Sequence, residues 1–412
     1  MRLGALAWVA LAGCYSAAPP SGAPCDPALD NCPSGQTCTT TAEGSFCGGR
    51  TTDAGEGSDG PRPDSAPGCY GTGLVHDICN ISASTDLAIT ADRTINTAMV
   101  GGTNCDSIIA QPGGGASLCL VAARTITIDV TAKVSAIGPN PLVLLATDTL
   151  AIAGTLDVAS HIGSMSSGAG AETDCGGNAG NDGSGFEAAG GGGAGGSFGT
   201  GGGNGGRGFR SSNSGSSPTP GGSALAIVSP TSLRGGCPGG DGGDSDGGGG
   251  VGKGGGGGGA VYLIATSIDM SGTINASGAG GGQGKDGLNA SGGAGGGGSG
   301  GFVGLDASSL DVSGAIFANG GSGGGGGGDQ PQFNGQPGKD PSGAMTPAAG
   351  GNGGSGGGGN GGAGYANSMA ATNATNGSNP YCGGGGGGGG GGIIRIYGAA
   401  APTGGTISPP PT

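Results

Sequence analysis

Cysteines carry the clearest chemical potential in this chain, which has 412 residues and 12 cysteines. Four of the cysteines fall within 23 residues of one another: Cys25, Cys32, Cys38 and Cys47. That segment holds almost no core-forming side chains, so two disulfides would supply the stability that burial does not. A zinc site is the alternative, although the segment has no closely spaced cysteine pair and no nearby histidine.

The other cysteines outside the N-terminal region fall into two groups. Four of them form two predicted local disulfides, Cys69 with Cys79 and Cys105 with Cys119. Three lie in Gly-rich sequence, where one pair among them would tie two loops together: Cys175, Cys237 and Cys382. Disulfide use on this scale indicates an oxidising compartment, while the connectivity itself is not fixed by the sequence.

Patterns typical of ligand-binding loops occur, but their sequence context argues against them. Residues 247–253 match most of a phosphate-binding loop, yet Gly254 stands where a hydroxyl side chain would hold magnesium. Asp241, Asp244 and Asp246 have the spacing of a single cation-binding turn, for which a solvated acidic turn is the favoured interpretation. The sequence therefore predicts a chain that is not an enzyme and has no catalytic residue, metal or cofactor.

Six aspartates lie along the strand-forming part of the sequence: Asp129, Asp148, Asp157, Asp269, Asp306 and Asp311. Solvated outward positions explain this spread of carboxylates. Asp269 and Asp311 occupy equivalent positions in two repeats, which predicts a small acidic ladder. Carbohydrate-active β-helix enzymes instead cluster carboxylates on one face, so an enzyme acting on extracellular polysaccharide is the alternative function.

Glycine dominates the composition, with 114 Gly and 24 Pro, while only 3% of residues are aromatic and 10% are charged. An ordinary domain is about 25% charged. A large conventional core is excluded, and collagen is excluded because no sustained Gly-X-Y register with abundant proline occurs. The net charge of 13 − 27 = −14 argues against binding to nucleic acid.

The N-terminus combines one positive charge with an apolar run that ends at Leu11-Ala12-Gly13-Cys14. The run is too short to span a bilayer and is typical of a signal peptide. Its end resembles the lipobox of bacterial lipoproteins, which implies cleavage before Cys14 and attachment of lipid to that residue. Tyr15, rather than Asp, follows Cys14; in the lipoprotein family this implies an outer-membrane or cell-surface location.

A repeat organises the region after residue 68. Leu150, Ile152, Leu156 and Val158 recur after 118 residues, again after a further 42, and 24 residues earlier as well. With the same offsets, Cys119, Val143, Val261 and Val303 align with one another at an upstream position of each copy. A partial last copy contains Ile394 and Ile407. Each copy holds three short strands of period 2, and stacked copies predict an all-β fold, a right-handed parallel β-helix (β-solenoid). A β-sandwich is the alternative.

Long Gly-rich insertions leave after the third strand of a repeat and return before the first strand of the next. They are therefore expected to emerge along one edge and to lie beside one another. Several carry Gly-Gly-X triplets, which place X on one ridge of a three-residue helix of the polyproline-II type. These triplets resemble the polyglycine-II sheets of some phage tail adhesins and of a Gly-rich antifreeze protein, and the Gly-rich regions of PE-PGRS surface proteins. Disorder of these loops is the alternative, because glycine loses the most freedom on ordering.

The predicted organisation follows from these boundaries. The Cys-rich segment, by its position and the run Cys32–Cys38, resembles Cys-rich modules of myxobacterial surface lipoproteins. The segments are 1–13 signal peptide, 14–24 lipid-anchored tether, 25–47 Cys-rich disulfide module, 48–68 acidic Pro/Gly linker, 69–162 solenoid rungs, 163–258 Gly-rich insertion, 259–279 rung, 280–299 Gly-rich insertion, 300–319 rung, 320–391 Gly-rich insertion and 392–412 terminal rung and tail.

The predicted function is that of a non-catalytic, lipid-anchored cell-surface protein with a structural or adhesive role, presenting a Gly-rich loop face. Its expected partners are the membrane, through the lipid, and cell-surface or matrix polysaccharide or protein, with no nucleic acid. A further alternative is binding to ice or a hydrated surface, through five outward threonines: Thr125, Thr127, Thr149, Thr155 and Thr273.

Overall fold

The computed structural model describes residues 36–41, 44–49, 68–111, 114–163, 167–173, 175, 188–209, 218–227, 229–245, 248–287, 289–329, 333–402 and 404–412. The described residues are all-β, and none of them is helical. The chain divides into two compact units, Met1–Pro61 and Arg62–Thr412.

The first unit contains one described antiparallel hairpin, β1 (Gln36–Thr41) and β2 (Gly44–Gly49). Its backbone register places Cys38 opposite Cys47. The predicted lipidation site Cys14 lies outside the described residues. So do the predicted signal peptide, Cys25, Cys32 and most of the predicted linker.

The structure describes seventeen strands in the second unit. They are β3 (Cys69–Thr72), β4 (His76–Cys79), β5 (Leu87–Ile89), β6 (Arg93–Asn96), β7 (Ser107–Ile109), β8 (Leu118–Ala123), β9 (Ile126–Ile128), β10 (Lys133–Ile137), β11 (Leu142–Ala146), β12 (Thr149–Ile152), β13 (Thr155–Asp157), β14 (Ala260–Met270), β15 (Thr273–Asn275), β16 (Phe302–Val312), β17 (Ala315–Phe317), β18 (Ile393–Tyr397) and β19 (Thr406–Ser408).

Most of these strands pair in parallel, in three columns. The first column is β8, β11, the start of β14, the start of β16, and β18. The second is β5, β9, β12 and the ends of β14 and β16. The third is β6, β10, β13, β15, β17 and β19. The first two columns belong to one sheet, and the third forms a sheet of its own.

The strand register confirms most of the predicted repeat. In the second column Leu150 lies between Ile126 and Ile268, and Ile268 lies beside Leu310. In the third column the aligned residues are Leu156, Ile274, Ile316 and Ile407. The shifts of 118 and 42 residues therefore hold in both columns, and the partial last copy is correctly placed.

Two parts of the predicted alignment are wrong. Cys119 pairs with Leu142 rather than Val143, a slip of one residue that exchanges the two faces of β11. All five residues of β11 are buried, so alternation does not reveal which face is inward. In the third column Val134 pairs with Leu156, whereas the predicted shift of 24 residues pairs it with Val158. The reason is that the turn before β10 is two residues longer than the turn before β13.

Two apolar clusters explain why β11 is buried on both faces. Side chains from both sheets form one narrow inner core that runs from Ile89 to Ile394. A second cluster covers the opposite face of the first column. It joins Tyr262 and Phe302 to Val75 of the β3–β4 region and to Phe198 of the first insertion.

The long insertions obey the predicted rule. They run from β13 to β14, from β15 to β16 and from β17 to β18, so each leaves the third column and returns to the first. Backbone hydrogen bonds join all three insertions, as the expectation of neighbouring loops requires. For example, Gly193 of the first insertion donates to Ala294 of the second, and Gly387 of the third donates to Gly193.

Candidate interaction surface

The centre of the Gly-rich region is the tract 383–392, in which every residue is buried. Its successive N–H groups donate to different neighbours: Gly386 to Gly324 at 2.9 Å, Gly387 to Gly193 at 2.9 Å and Gly388 to Thr372 at 3.1 Å. Three residues earlier the same three neighbours are used: Gly383 donates to Gly327, Gly384 to Gly190 and Gly385 to Thr375. Carbonyls of the tract accept from three more segments, so the tract is surrounded by six: 190–196, 199–206, 294–300, 318–327, 359–365 and 372–375.

A second buried tract, 290–301, is surrounded in the same way. It donates to 276–285, 237–243 and 384–390, and accepts from 190–196, 252–258 and 321–327. A buried backbone without partners is costly, and the six neighbours supply a partner for both the N–H and the C=O groups. The hydrogen bonds thus stabilise segments that have almost no side chains to bury.

Close backbone contact explains why these tracts are glycine. A Cβ added at any residue from 383 to 390 would lie 1.8–2.2 Å from a carbonyl oxygen of a neighbouring segment. Contacts below 3.0 Å are essentially never made by real Cβ atoms. Any larger residue would therefore force the segments apart and break the bonds between them.

The parallel strands set the register of these tracts. The segments 252–258, 290–301 and 383–392 lead directly into β14, β16 and β18. Gly252 donates to Gly293, and Ala294 donates to Gly384, which are shifts of 41 and 90 residues. The strands that follow are paired with shifts of 42 and 91 residues. The tracts therefore continue the strand pairing beyond the end of the apolar core.

The tract 371–377 forms an exposed rim of this bundle, and its side chains replace a missing neighbour. Asn373 Oδ1 accepts the backbone N–H of Asn204 at 2.7 Å. Asn376 Oδ1 accepts the backbone N–H of Arg207 at 2.8 Å. Both asparagines are exposed. They therefore satisfy outward backbone groups that, inside the bundle, would donate to another segment.

Threonines of the same tract accept backbone N–H groups of the segment on its other side. Thr372 Oγ1 accepts the N–H of Ala363 at 2.8 Å, and Thr375 Oγ1 accepts the N–H of Asn360 at 2.7 Å. The triplet Ala-Thr-Asn thus caps two neighbours at once and occurs twice in succession. We name the exposed side chains of Asn204, Asn360, Thr372, Asn373, Thr375 and Asn376 the amide rim. Sequence reasoning missed this rim, although the three-residue period of Thr and Asn was its signal.

A polar cluster ties the stacked strands to two insertions. Asp157 is 5% exposed; its Oδ2 lies 2.8 Å from Lys133 Nζ and 3.0 Å from His161 Nε2. His161 Nδ1 lies 3.5 Å from Asp340 Oδ2. Hydrogen bonds that His161 makes to Asp157 and, to a lesser extent, to Asp340 raise the pKa of His161 to about 9. Burial opposes ionisation of Asp157, but His161 and Lys133 hold its pKa below the ordinary value.

A second buried carboxylate fastens the β3–β4 hairpin to the first column. Asp306 accepts the backbone N–H of Thr72 at 2.6 Å and its hydroxyl at 2.8 Å. Tyr262 Oη donates to the same carboxylate at 3.3 Å. Burial raises the pKa of Tyr262, as does the nearby charge of Asp306. The expectation that the aspartates are all solvated is therefore wrong for Asp306, as it is for Asp157.

Other predicted residues have simpler surroundings. Asp269 and Asp311 are exposed and pair across β14 and β16, as the predicted ladder requires. Asp241 forms an ion pair with Lys253 at 2.7 Å. Asp246 lies outside the described residues. Within the described part of the chain, no group of three or more acidic, histidine or cysteine side chains is arranged to hold a metal ion.

Three disulfides occur among the described cysteines: Cys69–Cys79, Cys105–Cys119 and Cys175–Cys237. The first two are the predicted local pairs. The third is one of the pairs left open in the Gly-rich sequence. Cys382 is a buried free thiol, and its burial raises its pKa to about 11. This set of disulfides is consistent with an oxidising environment.

None of the described residues belongs to a helix that is long and apolar enough to cross a membrane. Comparison with protein-family models, with curated proteins and with solved structures finds no match to this chain.

Proposed function

We propose that this chain is a non-catalytic, lipid-anchored cell-surface protein whose Gly-rich region forms a rigid structural or adhesive face. The observation that carries this proposal is the hydrogen-bonded bundle with its exposed, uncharged rim. A bundle of bare backbone offers little for catalysis, since it holds few side chains with reactive groups. It offers instead a stiff and regular surface.

We further propose the detailed architecture behind this face. The stacked strands are interpreted as a right-handed parallel β-helix, which is supported by three columns of parallel strands with a common register. The Gly-rich tracts are interpreted as a polyglycine-II bundle. Hydrogen bonds that return to the same neighbour every third residue support this, because that helix has three residues per turn and no internal hydrogen bonds.

Paired cysteines test the β-helix directly. Asp269 and Asp311 are exposed neighbours on β14 and β16, although 42 residues separate them in sequence. The double variant Asp269→Cys/Asp311→Cys should form a cross-link in mild oxidant. The control is a pair such as Asp269→Cys/Val130→Cys. Val130 is also exposed, but it lies in a turn of another repeat. Absence of the first cross-link would contradict the stacking.

The location at the cell surface rests on the lipobox-like sequence at Cys14 and on the disulfides. Several acyl chains on one cysteine give stable anchoring, whereas a single chain is marginal. Tyr15 after the anchor favours the outer membrane.

The experiment that tests the function compares cells that lack the protein with cells that produce defined variants. We expect the wild type to incorporate labelled fatty acid and to restore cell–surface or cell–cell adhesion. Cys14→Ser should release the protein into the medium and abolish adhesion. Gly386→Ala, which disturbs the bundle but not the anchor, should remain on the cell and lose adhesion. Normal adhesion of cells without the protein would contradict the adhesive role.

A further inference from the structure

We propose that the amide rim binds a neutral, oxygen-rich polysaccharide, through side-chain N–H and O–H donors held in fixed directions. This inference rests on the proposed adhesive function and names its partner. It starts from the hydrogen bonds that the rim side chains already make to the backbone of the bundle.

Hydrogen bonds to the backbone fix the orientation of each rim amide. Asn373 and Asn376 use Oδ1 to accept an N–H from the neighbouring segment. Asn204 and Asn360 do the same, with Ala224 and Gly353 as the donors. Because a backbone N–H can bond only to the oxygen, the amide nitrogen is turned away from that contact.

The rim therefore offers donors rather than acceptors. The Nδ2 groups of its four asparagines have no acceptor among the described residues. Thr372 and Thr375 also accept a backbone N–H, which leaves the hydroxyl hydrogen of each to donate outward. A partner that complements this surface must present many oxygen acceptors.

The donors form a regular and preorganised array. Asn373 and Asn376 lie three residues apart on one extended tract, a spacing of about 9 Å at a rise of ~3.1 Å per residue. Asn204 lies on the adjacent segment, to which Asn373 is directly bonded. Side chains that are already held in place lose little freedom on binding, which favours a repetitive partner.

Charge decides which oxygen-rich polymer fits. Residues 341–392 contain no Asp, Glu, Lys or Arg, although the whole chain has 27 acidic and 13 basic residues. The net charge of −14 repels polyanions, and the six rim side chains are uncharged, with the single exposed cation Arg207 beside Asn376. The ring, glycosidic and hydroxyl oxygens of a neutral polysaccharide supply uncharged acceptors in a repeating pattern.

The test separates the outward donors from the structural role of the same side chains. In Asn373→Asp/Asn376→Asp, a carboxylate oxygen still accepts the backbone N–H groups, but the Nδ2 donors are lost. Asn352→Asp makes the same amide-to-carboxylate change at an exposed asparagine outside the amide rim and is the control. Amide hydrogen exchange of residues 371–377 establishes that each full-length variant keeps the rim folded.

Binding is measured by affinity electrophoresis of the full-length protein, with its disulfides intact, in gels that contain dextran or polygalacturonate. We expect dextran to retard the wild type and the Asn352→Asp control equally. The Asn→Asp variant should bind dextran about tenfold more weakly, the effect of losing one or two net hydrogen bonds. Polygalacturonate should retard none of the proteins.

Three outcomes would overturn the inference: equal retardation of the Asn→Asp variant, retardation by polygalacturonate alone, or inhibition of ice growth without retardation by dextran. Binding of the protein to whole cell envelopes is measured in parallel. If the wild type binds envelopes but not dextran, the partner is wrong and the adhesive function stands. If it binds neither, the proposed function fails as well.

Discussion

The substitution Gly386→Ala probes the bundle at one of its most crowded points. Its Cβ would lie 1.9 Å from the carbonyl oxygen of Gly295, whereas 3.0 Å is the shortest separation that real Cβ atoms tolerate. The two groups must move apart by at least 3.0 − 1.9 = 1.1 Å. Backbone atoms on both sides make this movement expensive, because neither can rotate away as a flexible side chain would.

The movement also threatens a buried hydrogen bond. The Gly295 oxygen accepts the N–H of Gly324 at 3.0 Å, and a shift of 1.1 Å is enough to break that bond. An unsatisfied buried group costs about 1–3 kcal/mol, and overpacking costs about 1–3 kcal/mol more. We therefore expect Gly386→Ala to lower the free energy of unfolding of the bundle by about 2–6 kcal/mol.

Gly201→Ala is the matched control, because a Cβ there meets no atom within 4 Å. It should change stability by no more than about 1 kcal/mol, and in the stabilising direction if the alanine restricts the unfolded chain. Both variants are compared by chemical unfolding and by exchange protection of the tract 383–392. Equal stability of the two would refute the close packing of the tracts.

Three further expectations concern the polar clusters and the disulfides. The pKa of His161 is about 9 in the folded protein against an ordinary 6.5, so its ion pairs stabilise the fold fully below pH 6.5 and are lost as pH rises through about 9. Because the His161 side chain is 44% exposed, solvent screening limits this stabilisation to about 1 kcal/mol. His161→Gln should abolish this pH dependence of the free energy of unfolding. Asp306→Ala leaves the Thr72 N–H without its acceptor and should cost about 2–3 kcal/mol, seen as faster exchange in the hairpin 69–79 while the Gly-rich tracts stay protected. Replacing Cys105 and Cys119 by alanine should cost about 3 kcal/mol, the loop-closure value for a span of this length; an unchanged unfolding midpoint would argue that the disulfide adds nothing.

Sequence reasoning succeeded where one face of a strand is apolar and the other is polar. The alternation at Leu150 and Ile268 identified the inward residues and hence the shift of 118 residues. It failed at β11, whose residues are apolar without exception because a second cluster covers the outer face. The covering residues, such as Val75 and Phe198, lie far away in sequence, so no local pattern revealed them.

The buried carboxylates were missed for a related reason. Thr72, which bonds to Asp306, is separated from it by 234 residues. Asp340, which contacts His161, belongs to a different insertion. An isolated aspartate in a strand has the same local pattern whether it faces solvent or a distant donor. The repeat of Thr and Asn at 372–376, which was also missed, is by contrast a signal within the local sequence.

Amide hydrogen exchange, measured residue by residue on the intact protein, tests the central claim most directly. The claim is that the stacked strands and the Gly-rich tracts form one hydrogen-bonded structure. We expect the tracts 290–301 and 383–392 to be protected as strongly as β16 and β18, into which they lead. Protected strands beside freely exchanging tracts would contradict the bundle, and with it the adhesive face.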